Sequence, residues 1–152
     1  MTAAANLAST GYRLVVTTRT QLPPGLLDDA IEAAAGDGAR VHVVLPFVLP
    51  AQLPFSAAPP RLVKRVKEQE RNARETLQRI HVDGRVDVLT CRSERRLLAT
   101  LCAAHPPAEI IVAGPAPWSL RRALHGVAPM TVFSDRGRHR HDPHPSHRTA
   151  FE

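Results

Sequence analysis

The 152-residue chain is 43% apolar, enough to bury one core and too apolar for wholesale disorder. Aromatic residues make up only 4%, which argues against an aromatic platform for single-stranded nucleic acid, and Cys91 and Cys102 are too few for a disulfide framework or a multi-cysteine zinc site. The net charge of +6 divides into +4 on residues 61–79 and +2 on residues 136–152, leaving the remainder neutral; no basic face, and so no nucleic-acid partner, is expected.

Residues 1–10 carry neither a basic head nor an apolar run, so no signal peptide is expected. Residues 41–55 form the longest apolar stretch, but Pro46, Pro50 and Pro54 interrupt it and it is too short to span a bilayer. The expectation is a cytoplasmic protein with no membrane partner: a flexible N-terminus over 1–11, one domain over 12–135, and a disordered His/Arg/Pro tail over 136–152.

In chain order, residues 12–18 read as a first strand. Residues 26–35 read as a helix, with Asp28 and Asp29 complementing the dipole at its start and Gly36 and Gly38 permitting its exit. Residues 40–46 are the second strand, followed by an irregular proline-rich connection over 47–60. The longest helix covers 61–82, where Leu62, Val66, Ala73, Leu77 and Ile80 share one stripe and Glu70 and Arg74 pair on the wet side. Residues 85–91 form the third strand. Ser93 caps a helix with Leu97, Leu98, Leu101 and Cys102 on its apolar face. Residues 108–114, 118–125 and 129–134 give the fourth strand, a short helix and the fifth strand. Strands separated by helices run parallel, which predicts an α/β fold: a doubly wound five-stranded parallel sheet with helices on both faces.

In such a sheet ligands bind beyond the carboxyl ends of the strands. Several familiar sites are missing from those positions. No GxGxxG follows the first strand, no GxxxxGK[ST] occurs, and no CxxC is present. The first strand ends in Thr17-Thr18 instead of an acid, which removes the carboxylate of a phospho-accepting receiver. With no nucleophile and base identifiable, no enzymatic activity and no catalytic residue are expected.

The order of elements, the His42-Val43-Val44 strand, the run from Ala108 to Gly114 and the basic helix Leu120-Arg121-Arg122-Ala123-Leu124 leading through Gly126 together resemble a universal stress protein domain. The resemblance spans residues 12–134. It implies a flavodoxin-like sheet, a stress-response or regulatory role, dimerisation through the last strand, and, in one branch of the family, ATP binding. That branch carries three spaced glycines and a hydroxyl residue after the fourth strand, so that backbone amides approach the phosphates. Here Gly114 fills the first position, but Pro117 and Val127 fall at the second and third, Gly126 lies one residue early, and Ala128 replaces the hydroxyl. The aspartate that follows the family's first strand is also replaced by Thr17-Thr18.

The resemblance therefore implies a non-catalytic regulator with weakened or lost ATP binding. The alternative is an adenine-nucleotide binder whose altered loop uses Gly114, Ser119, Arg121, Arg122 and Gly126 with Thr17 and Thr18. Beside that alternative, Arg121 and Arg122 read as a solvated helix face, Ser119 as a cap, and Trp118 as a cover for the core edge. Cys91 reads as a small buried hydrophobe, and His42 and His105 as half-buried histidines. His139, His141, His144 and His147 read as a solvated tail and not as a metal site.

Overall fold

The computed structural model describes residues 11–134 and the backbone of 137–141. Six strands form one sheet in the order β3-β2-β1-β4-β5-β6. β1 (Tyr12–Thr17), β2 (Arg40–Val48), β3 (Gly84–Cys91), β4 (Glu109–Ala113) and β5 (Met130–Ser134) run parallel, as the alternation of strand and helix requires. The direction of winding reverses between β1 and β4.

Alternate residues of each strand feed two cores. Val15, Val43 and Ile111 pack against Leu27 and Ile31 of α1 (Leu26–Ala34) and Val66, Ala73 and Leu77 of α2 (Pro60–Arg79). Leu14, Val16, Val44, Ile110 and Val112 pack against Leu98 and Cys102 of α3 (Glu94–Ala104) and Leu120 of α4 (Trp118–Ala123). The period-2 alternation of a strand thus places one core under each helical layer. Leu62 and Ile80 extend the α2 stripe at its partly buried ends. Ser93 caps α3 by accepting the Arg96 amide at 3.3 Å, and Glu70 and Arg74 pair at 2.9 Å.

Two stretches differ from the sequence expectation. β2 continues past Pro46 through Phe47 and Val48, and the proline-rich connection contains a 3₁₀ turn at Phe55–Ala57. β1 stops pairing with β2 at Val44, while β3 accompanies β2 to Val48. Pro46, which has no amide to donate, is accommodated because the side of β2 that β1 has vacated asks for none. The second difference is β6 (Gly137–His141), which lies antiparallel along β5 within the segment read as an aperiodic tail. The remainder of that segment, with His144 and His147, and residues 1–10 lie outside the described residues.

Candidate functional site

The reversal of winding between β1 and β4 leaves a crevice at their carboxyl ends. The sheet is stepped there: β2 runs four residues past Val44, the last partner of β1, which at strand rise is about 13 Å. β2, β3 and the first turns of α2 form a wall, and the ends of β1 and β4 form a floor.

Thr17, 2% exposed, pairs in register with Ala113, and the Thr18 amide donates to the Ala113 carbonyl at 3.2 Å. Gly114 adopts φ 115°, and a Cβ on it would run into the Thr18 hydroxyl and approach Leu22 to 3.1 Å. Gly114 is therefore required by both conformation and space. Gln69 of α2 reaches the floor and donates through Nε2 to the Arg19 carbonyl at 2.9 Å. Two buried oxygens at this floor, Thr18 Oγ1 and Gln69 Oε1, have no hydrogen-bond partner among the described residues. Gln69 was not singled out in the sequence; its only signal was a polar residue on the apolar stripe of α2, three residues after Val66.

Downstream of β4 the supply of amide donors is small. Gly114 donates its own amide to the Phe133 carbonyl of β5 at 2.8 Å, and Pro115 and Pro117 have none. Ala116 is left as the only amide between 114 and 117 outside the ladder. Pro117 is the N-cap of α4 without a side-chain hydrogen bond, so Ser119 lies inside the first turn and does not cap the helix. Gly126, φ 81°, turns the chain out of α4, and a Cβ there would meet nothing within 4 Å. It serves the helix exit and does not continue the floor.

Arg121 and Arg122 are exposed and share a shallow groove with Trp118 and His125. Trp118 is 70% exposed with the Arg122 guanidinium carbon 5.0 Å from its ring centre, so it does not cover the core edge. The structure thus brings Thr17, Thr18 and Gly114 together on the floor and sets Ser119, Arg121, Arg122 and Gly126 along α4 and its exit.

Cys91 is buried; burial foremost, and then the Glu94 carboxylate, push its thiol pKa up. Among the described residues no group of three or more His, Cys, Asp or Glu side chains is placed to hold a metal ion, and no helix is long and apolar enough to cross a membrane. Away from the crevice, His42 is half-buried as expected and its Nε2 lies 2.7 Å from Asp87, whereas His105 is exposed and its carbonyl accepts the Tyr12 hydroxyl. Burial tends to raise the Asp87 pKa, but hydrogen bonds from His42 and Arg85 outweigh it and the net shift is downward.

No protein-family model matches the sequence, and no curated protein does. Solved structures do. A protein of the universal stress protein family from Burkholderia pseudomallei aligns at a TM-score of 0.58 and 15% identity, over 82% of this chain and 97% of that one. The universal stress protein of Archaeoglobus fulgidus in complex with dAMP aligns at 0.59 and 17%, over 81% and 98%. A universal stress protein family protein from Arabidopsis thaliana with AMP bound aligns at 0.54 and 8%, over 81% and 91%. By its alignment over nearly the whole length of those structures, this chain has the universal stress protein fold.

Proposed function

We propose that the protein is a non-catalytic, cytoplasmic regulator of universal-stress-protein type that works through partner contacts, self-association included, and does not hold ATP in a glycine-loop cradle. The observation that supports this reading is the state of the amides after β4. Gly114 gives its amide to Phe133 and two of the next three residues are prolines, so between 114 and 117 only Ala116 has an amide left to offer. A phosphate cradle works by several convergent amides, and the turn leaving β4 supplies one before the first turn of α4. The stress-response role follows the named proteins that share the fold.

A second reading has its own support: the floor takes an adenine monophosphate without a triphosphate cradle. Structures with this fold carry dAMP and AMP, and Thr18 Oγ1 and Gln69 Oε1 are buried acceptors that a ligand donor would satisfy. Arg121 and Arg122 would then face the single phosphate.

One experiment separates the readings. The purified protein is denatured and the supernatant analysed for adenine nucleotides, and thermal melts are run with no ligand, Mg-ATP and AMP. A ligand present at a hundred times its Kd stabilises by about 2.7 kcal/mol, a shift of several degrees. The first reading expects no released nucleotide and an unmoved melt with either ligand. A melt raised by AMP and not by Mg-ATP establishes the second reading, and ATP released on denaturation overturns the first.

A further inference from the structure

The chain outside residues 61–79 and 136–152 is neutral in sum, but the fold separates its signs. Arg19 follows β1, Arg92 follows β3, Arg95 and Arg96 open α3, and Arg121 and Arg122 lie on α4, all toward the carboxyl end of the parallel sheet. The first turns of α2, which rise beside the extended β2, add Arg61, Lys64 and Arg65 to the same end. Among the described residues, none of these nine cations has an ion-pair partner. The ion pairs of Arg13, Arg79 and Arg85 use Asp37, Glu109, Glu32 and Asp87, acids that lie away from this end. Acids near the cationic end are few: Asp28, Asp29, Glu68, Glu70 and Glu94, of which Asp28 accepts a hydrogen bond from Thr76 and Glu70 pairs with Arg74.

The same end exposes two aromatic rings, each with a guanidinium over it. Phe55, 54% exposed, has the Arg92 guanidinium carbon 4.2 Å from its ring centre on the β2–β3 side. Trp118 with Arg122 lies past β4. The strand order places the floor of Thr18 and Gly114 between the two stacks.

We infer that this end of the protein is a docking surface for a single-stranded polynucleotide, whose phosphates meet the unpaired arginines and whose bases stack on Phe55 and Trp118. An acidic protein would answer the charge, but a guanidinium set beside a ring at two separate points matches the alternation of phosphate and base along a strand, and a duplex keeps its bases out of reach of them. Base stacking on aromatic side chains combined with a cationic groove is how single strands are held without sequence preference.

The test is a fluorescence-anisotropy titration of a labelled oligo(dT) about twelve nucleotides long with the full-length protein. Binding is expected to weaken with salt at a slope near −3 in log K against log salt, the value for about four phosphate contacts to a single strand. Trp118→Ala should weaken binding about tenfold, the loss of one base stack, and leave the melting temperature unchanged because the ring is exposed. Arg95→Glu with Arg121→Glu should weaken it further, while Arg40→Glu with Arg79→Glu, the same charge change near the amino ends of the strands, should not. A duplex of equal length should bind more weakly than the single strand. The inference is overturned by an absence of binding at low salt or by equal losses from the two double reversals. It is equally overturned if polyglutamate competes as well as the oligonucleotide and Trp118→Ala has no effect, which would make this a surface for acidic proteins.

Discussion

The hydroxyl of Thr18 occupies the space into which any side chain at Gly114 would project, so the ends of β1 and β4 close on each other through a residue pair that tolerates only glycine on one side. Gly114→Ala should therefore cost stability twice: about 1–2 kcal/mol for the left-handed backbone and about 1–3 kcal/mol for overpacking against Thr18 and Leu22. Thr18→Ala in the same chain removes the obstructing atom and should recover the second part but not the first. Urea melts of the four combinations measure both; an additive cycle would show that the two residues do not meet.

Glu94, in the first turn of α3, has its carboxyl pushed up to about 7 by burial. Between the ordinary glutamate range near 4.3 and pH 7, the folded chain holds a proton that the unfolded chain has released. Stability should thus fall as pH rises through that window and level off above it. Glu94→Gln should flatten this dependence, so that the variant gains relative to the parent at pH 8 and not at pH 4. Melts at both values check it, and parallel curves for the two proteins would refute it.

Burial raises the Cys91 thiol pKa and lifts that of Cys102 to about 11, which leaves little thiolate at neutral pH. Neither should react with iodoacetamide in the native protein over a time in which both react in denaturant. Mass spectrometry after quenching reads the adducts, and rapid native labelling of Cys91 would make it a reactive thiol.

β6 pairs with β5 from Met130↔His141 to Ser134↔Gly137, so the outer edge of the parallel sheet is already occupied. Self-association through β5 would require β6 to leave. Ending the chain at Ser134 bares that edge and should raise the associated fraction, as unpaired edges do. Light scattering coupled to size exclusion compares the two lengths; an unchanged mass distribution would show that β6 does not guard the edge.

Much of the fold was legible because its signals are local. β-branched runs marked the five parallel strands, and the α2 stripe of Val66, Ala73 and Leu77 marked a buried helix face. β6 was not legible, because its Gly-Arg-His-Arg-His sequence has no apolar period and its order comes from the edge it joins. The extension of β2 past Pro46 was hidden for a related reason: it depends on β3 being present and β1 absent on the other side. Thr17, Thr18 and Gly114 were identifiable from their places after strands, whereas Gln69 joins them only through the height of α2 beside the sheet. The grouping of arginines was invisible to a sum of charges along the chain, since the topology, not the sequence order, gathers them.

The Gly114–Phe133 hydrogen bond also limits what evolution or design could do with this loop. Introducing glycine at Pro117 and Val127 would add freedom and amides around the turn, but the leading amide would still be a rung between β4 and β5. Freeing that amide would mean uncoupling those two strands at their tips, so its donor is tied to the sheet itself.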